Sequence, residues 1–471
     1  MCKTKIICTI GPASEKPATI EGMIKSGMDI ARLNFSHGTH EQHEKRMVII
    51  RKASNKLNKS IGIMQDLQGP KIRIGKFKPG IKSIVLQPGE KFILTTENYP
   101  GGDRNKVNVD YKRLHRYLAK NDRIFLDDGK IELLVKKVVN RNIESEVIVG
   151  GELSERKGVS LPDKTIPLPV ITQQDINDLD FGMKLGVNYI AVSFTRKKEN
   201  ILKIRSMLGN NNGISLIAKI EDVEGLNNID GIIDVSDGIM VARGDLGVCL
   251  PRAKVPVIQK EIIRKCRKSG KPVIVATQML DSMTINPHPT RAEVSDVANG
   301  VLDGADCLML SGETSVGKYP VETVQEMSRI INAIEKSADY RKILTSEEFY
   351  PQEHGLIQGL GIAIDKLSQV GNVEAIICLT KTGNTAKIIS QYRPQLPIIA
   401  VTVNKTIAMK LLVYWGIKVL IGKKVKDVEC NYKTFIRQVK REDLVNKGDI
   451  VIITSGIKEK PFQANISVVE V

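Results

Sequence analysis

Aromatic side chains are scarce, at 4% of the 471 residues, and tryptophan occurs once, at Trp415. Single-stranded nucleic acid is gripped largely by bases stacked on exposed rings, so this chain is poorly equipped for that task. Cysteine is also sparse. The seven (Cys2, Cys8, Cys249, Cys266, Cys307, Cys378 and Cys430) include no C-x-x-C pair. That argues against a zinc ribbon and for reduced thiols in a cytoplasmic protein. No apolar run reaches 18 residues and the N-terminus shows no small-residue cleavage site, so neither a membrane span nor a signal peptide is expected. Walker-type G-x-x-x-x-G-K-[ST] loops and G-x-S-x-G elbows are missing too, which leaves any nucleotide to be held by loops. Acidic residues fall short of basic ones, 53 against 70, for a net charge of +17. Such an excess draws acidic partners: nucleic acid, anionic membrane or phosphorylated small molecules.

What is present repeats. Short apolar runs rich in β-branched residues each end in a polar residue and lead into a stretch of helical length. They are KIICTIG, MDIARLNFS, IGIMQDLQG, YIAVSF, ISLIAKIE, GIMVARGD, PVIVATQM and ADCLMLSGE. Near-continuous apolar strands alternating with helices indicate a parallel sheet covered on both faces, and eight in succession fit a closed (β/α)₈ TIM barrel. The barrel is expected over residues 1–69 and 169–345. Residues 70–168 read as an inserted small β-barrel domain, with Asp128-Gly129 as a hairpin signal, set over the active face as a lid. Residues 346–471 read as a C-terminal open α/β domain.

The polar ends of the runs carry the candidate chemistry, because all eight loops converge there. Lys219 and Glu221 are two apart on one strand and share a face. Asp245 closes the next strand, after Gly244, whose missing Cβ permits close backbone approach. Two carboxylates beside an interior lysine suit one Mg²⁺ next to an anion, although a buried ion network would use the same residues. Arg32 and Asn34 share a face of the second strand, Asp66 ends the third, and Thr277 ends the seventh. The set suits phosphoryl transfer, and equally a metal-assisted proton abstraction beside a carboxylate. His37, His40 and His43 are evenly spaced but lack a fourth ligand, so they read as loop and surface histidines rather than zinc ligands. Thr380-Lys381-Thr382-Gly383-Asn384-Thr385, between a strand and a helix, has the ingredients of a phosphate nest and equally of a capped turn.

CTIGPAS, DIARLNFSHG, DLQGPKIR, KGVSLP, AKIE, DGIMVARGDLG, ATQMLDSM and PTRAEVSDVANGVLDGADCLMLSGET, in this order, closely resemble pyruvate kinase over essentially the whole chain. The resemblance implies transfer of the phosphoryl group of phosphoenolpyruvate to ADP in glycolysis. It assigns Glu221 and Asp245 to Mg²⁺, with Mn²⁺ as a substitute. Lys219 would neutralise the transferring group and the enolate oxygen, Arg32 would clamp the phosphate, and the Gly244 and Asp245 amides would hold the carboxylate. Thr277 matches a position linked to proton delivery. Asn34, Ser36 and Asp66 match monovalent-cation ligands; His37, Arg73 and Lys157, with Asn34, match positions near the nucleotide. A homotetramer and a phosphorylated allosteric effector at residues 380–385 are implied as well, with no membrane or nucleic-acid partner.

Three departures shape the expectations. Many members carry Glu where this chain has Lys71 in Asp66-Leu67-Gln68-Gly69-Pro70-Lys71, so a fixed ammonium beside Asp66 is expected to replace K⁺ and make it unnecessary. Val316 stands where a nucleotide-contacting Lys is found in other members, with Lys318 displaced by two. The C-terminal GIKEKPFQANISVVEV lacks the usual Gly- and Thr-rich effector loop, so a sugar or nucleotide monophosphate is at least as good an expectation for the effector as fructose bisphosphate, and weak regulation is a further outcome of the missing loop. The alternative, an inactive homologue that only binds phosphoenolpyruvate or nucleic acid, is disfavoured because Arg32, Lys219, Glu221, Asp245 and Thr277 are all present.

Overall fold

Each of the eight apolar runs is a strand. In the computed structural model, which describes all residues except 1, 163, 165, 170, 210–212, 338–339, 341–354, 423–431 and 460–461, the first three are β1 (Lys5–Thr9), β2 (Met28–Asn34) and β3 (Gly62–Asp66). The insertion follows: β4 (Ser83–Leu86), β5 (Lys91–Thr95), β6 (Lys106–Asn108), β7 (Arg123–Leu126), β8 (Ile131–Val139), β9 (Asn142–Val149), β10 (Gly151–Ser154) and β11 (Val159–Ser160). The remaining five barrel strands are β12 (Tyr189–Val192), β13 (Ser215–Ile220), β14 (Gly238–Ala242), β15 (Val273–Ala276) and β16 (Cys307–Leu310). They close in the order β1-β16-β15-β14-β13-β12-β3-β2, every pair parallel. β3 pairs directly with β12, Gln65 opposite Ile190, so the insertion breaks the chain without breaking the sheet.

The period of two along each strand sorts side chains between two cores. On β1, Ile6 and Cys8 face outward, among helix residues such as Ile20, Met23 and Ile24. Ile7 faces inward with Ile30, Met64, Tyr189, Ile217, Met240 and Ile274. That inner core continues into C-terminal residues including Ile376, Ile398, Leu412 and Val413, so the barrel floor and the C-terminal domain form one apolar body.

The insertion, expected as a small β-barrel, consists of a six-stranded sheet (β11-β7-β8-β9-β5-β6) and a two-stranded ribbon (β10-β4) around a core that includes Phe92, Leu94, Ile124, Ile131 and Leu133. The Asp128-Gly129 signal is a hairpin tip between antiparallel β7 and β8. Asp127, Asp128 and Gly129 all have positive φ, the backbone that turns tightly with the twist of the flanking strands. Both chain crossings between barrel and insertion are tied by one buried carboxylate. Asp175 accepts from the Gly69 amide at 3.0 Å through one oxygen, and from Thr172 N and Oγ1 at 2.9 and 2.6 Å through the other.

The C-terminal domain is a five-stranded sheet in the order β19 (Ile417–Ile421), β18 (Ile398–Thr402), β17 (Val373–Leu379), β20 (Ile450–Glu459), β21 (Phe462–Glu470). Its last pair is antiparallel. β21 comes from the terminal segment that sequence reading treated only as lacking a loop; it covers the edge that β20 would otherwise expose. The expected boundary at residues 345 and 346, Cys430 and most of the IGKKVKD segment lie outside the described residues. Among the described residues no helix is long and apolar enough to cross a membrane.

The lone Trp415 is 1% exposed, wedged where the barrel meets this domain. Its backbone amide donates to Asp306 Oδ1 at 3.2 Å, and the Arg393 guanidinium bonds the same oxygen at 3.0 Å while lying 4.9 Å from the indole centroid. The other Asp306 oxygen accepts from Val273 N of β15 at 3.0 Å. Removing this carboxylate strands a buried guanidinium and two amides. Asp306→Ala should therefore cost about 3–5 kcal/mol, measured as a loss in urea unfolding of the full chain; a change below about 1 kcal/mol would contradict this account.

Candidate active site

The strand ends bring together a buried, charge-compensated cluster. Lys219 Nζ lies 3.1 Å from Asp66 Oδ1, 2.9 Å from Glu221 Oε1 and 2.7 Å from Ser193 Oγ. Arg32 donates through Nε to Asp66 Oδ2 at 2.7 Å and through Nη1 to Thr9 Oγ1 at 2.8 Å. Five barrel strands thus contribute to one network, and Lys219, Asp66 and Glu221 are each under a tenth exposed. Burial would lower the Lys219 ammonium, but Asp66 and Glu221 outweigh it and hold its pKa well above the ordinary lysine range. Burial likewise opposes ionisation of Asp66, and here Lys219 and Arg32 prevail and keep its carboxyl below the usual range. Glu221 goes the other way. Burial, with repulsion from Asp245, pushes it up to about 7 against the pull of Lys219.

Glu221 Oε2 is oriented by the Phe194 amide at 2.5 Å, and Phe194 has φ +52. Thr277 and Gln278 also have positive φ, +69 and +55. Left-handed backbone at non-glycine residues costs about 1–3 kcal/mol each and gathers where side chains must be aimed. Thr277 Oγ1 donates to Ala276 O at 2.6 Å and accepts from the Gly244 amide at 2.9 Å. Gly244 and Asp245 lie in the first turn of the short helix Arg243–Cys249.

One expectation is corrected. Lys71 does not sit on Asp66, whose two oxygens are taken by Arg32 and Lys219. Its Nζ instead lies 3.2 Å from Asp245 Oδ1 and 3.0 Å from Asp128 Oδ1, at the tip of the β7–β8 hairpin. Asn34 pairs with Asp66 across β2 and β3, and its Oδ1 accepts from Ser36 N at 3.1 Å. His37 is exposed. Partial loss of hydration, then the charges of Arg73, Arg32, Lys157 and Lys71, lower its pKa. Lys157 is anchored to Asp127 at 2.8 Å and Arg73 to the Arg156 carbonyl at 3.2 Å. Val316 and Lys318 are both exposed. Residues 380–385 lie away from this cluster, in the C-terminal domain. There Gly383 (φ +89) starts the helix Asn384–Gln391 and its amide donates to Thr380 Oγ1 at 2.8 Å; Thr382 Oγ1 lies 3.5 Å from Asn384 N.

Four residues escaped the sequence reading as site members. Ser193 bonds the lysine at 2.7 Å. Asp127 and Asp128 hold Lys157 and Lys71, and Asp175 ties the two chain crossings. A carboxylate beside a turn glycine was the available signal for Asp128. Nothing local marks Asp175.

Could the residues present hold a divalent cation? Burial first, and then the nearby charge of Asp245, raise Glu221, and two such neighbouring carboxylates fit one hard cation completed by substrate oxygens. Among the described residues no cluster of three or more His, Cys, Asp or Glu forms a self-sufficient metal site. Two of the three histidines, His40 and His43, have partners of their own. His40 bonds Asp178 at 2.6 Å and stacks on Phe181, while His43 stacks on Phe35 and bonds the His37 carbonyl at 2.9 Å.

The family model described as "Pyruvate kinase, barrel domain" matches residues 1–324, and that described as "Pyruvate kinase, alpha/beta domain" matches residues 361–470. Curated relatives named "Pyruvate kinase" are similar along almost the whole chain. Those of Sporosarcina psychrophila and Staphylococcus aureus (strain MRSA252) are each 44% identical, over 462 and 460 residues. That of Staphylococcus haemolyticus (strain JCSC1435) is 44% identical over 461 residues. Each alignment covers 97% of this chain and 78% of the relative.

His43 supplies a pH test of the helix that carries it, His40–Lys56. Burial pushes its imidazole from 6.5 down to about 4, so the folded state stays neutral while the unfolded chain takes up a proton. The stability involved, on the order of 1–3 kcal/mol, is full above about pH 6.5 and drains away as pH falls toward 4. His43→Phe should flatten that part of the dependence of melting temperature on pH; parallel curves for both proteins would contradict it.

Proposed function

The chain belongs to the pyruvate kinase family, and from that premise we propose how its own residues carry the reaction. It is a phosphotransferase: the P–O bond of phosphoenolpyruvate breaks, a bond to a terminal ADP oxygen forms, and the enolate left behind takes a proton at carbon to give pyruvate. The observation that carries the residue-level reading is the bonded network of Arg32, Asp66, Ser193, Lys219 and Glu221, drawn from separate strand ends. An inactive homologue would have no reason to keep so costly a cluster of buried charge.

Arg32, fixed in direction by Asp66 and Thr9, clamps the phosphate. Lys219 remains an ammonium across the working pH range and faces the transferring group and the enolate oxygen, where negative charge develops. The first turn of the helix Arg243–Cys249 offers the amides of Gly244 and Asp245 to the substrate carboxylate, which takes the place of Thr277 Oγ1 on the Gly244 amide. Thr277 then stands beside the enolate, oriented toward the carbon that is protonated. Glu221 and Asp245 would hold Mg²⁺, or Mn²⁺ in its place; when bound, that ion supplies positive charge to the phosphoryl and enolate oxygens. His37, Arg73 and Lys157, with Asn34 beside them, receive the polyphosphate of ADP, and the insertion closes over it to exclude water.

K⁺ is not required in this reading. Both oxygens of Asp66 already carry fixed cations, Arg32 and Lys219, so a monovalent ion brought to Asn34, Ser36 and Asp66 would meet little uncompensated negative charge. The Thr380–Thr385 nest, with Lys381 at its rim, is read as the seat of a phosphorylated effector, a sugar or nucleotide monophosphate. A shift in half-saturation for phosphoenolpyruvate on adding such compounds is its measure. Leu356, Ile362, Leu367 and Val370, exposed on and just after the helix Leu356–Leu367, support a homotetramer, for which light scattering gives the mass. The six described cysteines are free and those with resolved shifts are raised by burial, in keeping with a cytoplasmic protein.

A coupled assay for ADP-dependent pyruvate release tests the activity, and Lys219→Met should lower kcat by at least about a hundredfold to a thousandfold. Full retention of rate by that variant would remove Lys219 from the mechanism. Replacing K⁺ with tetramethylammonium should leave the rate of the wild-type chain within about twofold, while Lys71→Glu should create a K⁺ requirement, because it exchanges a fixed cation for an anion. A large K⁺ activation of the wild type would overturn the K⁺ reading.

A further inference from the structure

Lys71 joins three parts of the fold at one point. Its Nζ bridges Asp245 of the barrel rim at 3.2 Å and Asp128 of the inserted domain at 3.0 Å, residues 174 and 57 positions away. Its own backbone belongs to the outgoing hinge. Its stem passes over Gly158 on the returning hinge, where an added Cβ would come within 2.7 Å of Lys71 Cε and push the side chain off this path. Asp128 is held at the hairpin tip by positive φ on both aspartates and by the pairing of its neighbour Asp127 with Lys157.

We propose that Asp128 is a positioning residue that holds Lys71 on Asp245 in the metal-free protein, so that a lysine guards the carboxylate a divalent cation must use and links the inserted domain to that site. The proposal rests on the reading of Asp245 as a divalent-cation ligand. An ammonium and a divalent ion cannot both lie against one carboxylate oxygen without strong repulsion. A cation entering at Asp245 therefore displaces Nζ and must break the bridge that Asp128 helps to hold. Asp128 is well exposed, at 61% of its side chain, and touches neither substrate-facing residue nor metal ligand except through Lys71. Two linked equilibria follow: metal binding loosens the contact between inserted domain and barrel at this point, and that contact weakens metal binding by the same factor.

The test is Mn²⁺ binding to the full chain without substrates, followed by the electron paramagnetic resonance signal of free Mn²⁺. Lys71→Met should tighten binding about tenfold, the scale set by one partly buried charge pair. Lys71→Arg should restore the weaker wild-type affinity. Asp128→Asn should tighten Mn²⁺ binding several-fold in the wild-type background, because Nζ loses the partner that holds it on Asp245, and should have no effect in the Lys71→Met background. Unchanged affinity in Lys71→Met, or additive effects in the double variant, would overturn the proposal. Asp245→Asn separates the two readings: normal Mn²⁺ binding there would sink the assignment of Asp245 as a ligand, and this proposal with it.

Discussion

A lysine ammonium stripped of its water must be given an equivalent set of partners, and Lys219 receives them from three other points of the barrel rim: Asp66, Ser193 and Glu221. Much of the site follows from that requirement. Asp66 can serve Lys219 through one oxygen because Arg32 occupies the other, and Arg32 is steered in turn by Thr9. Glu221 is drawn to the lysine through one oxygen and pinned by the Phe194 amide through the other, which fixes its orientation. Each group is costly to bury alone and stable only in company. The cluster therefore behaves as a unit, aimed before any substrate arrives.

The rest of the molecule can be understood as what keeps that unit aimed and reachable. Barrel closure brings β3 beside β12 although 99 residues of insertion separate the runs, so Asp66 and Ser193 meet across a strand pair rather than across a loop. The C-terminal domain shares its core with the barrel floor, and Asp306 with Arg393 and Trp415 seals the junction. These contacts make the floor rigid. At the opposite end the insertion is joined by two chain crossings, registered by one buried carboxylate at Asp175, and by a salt-bridged tip at Asp128.

The barrel was readable from the chain because its signal is local. Eight runs with both faces apolar, each closing on a polar residue, leave few alternatives, and Arg32, Asp66, Lys219, Glu221, Asp245 and Thr277 stand at those ends by simple counting. Family resemblance added their candidate roles. The hairpin at Asp128-Gly129 was equally local. β21 was not, because a C-terminal segment with weak alternation becomes a strand only when β20 offers it an edge.

Sequence by itself determined which side chains reach the mouth of the barrel, since strand period and strand ends are properties of a few consecutive residues. Tertiary structure alone decided who partners whom there. Lys71 is the clearest case: its identity as a cation replacing an anion was plain in the string of letters, and its expected seat beside Asp66 was not where it settled. Asp66 had been saturated by Arg32 and Lys219, while Asp245 and Asp128 were left with negative charge to share. An ammonium goes where uncompensated charge remains, and that balance is struck among residues up to 174 positions apart. No local pattern carries it.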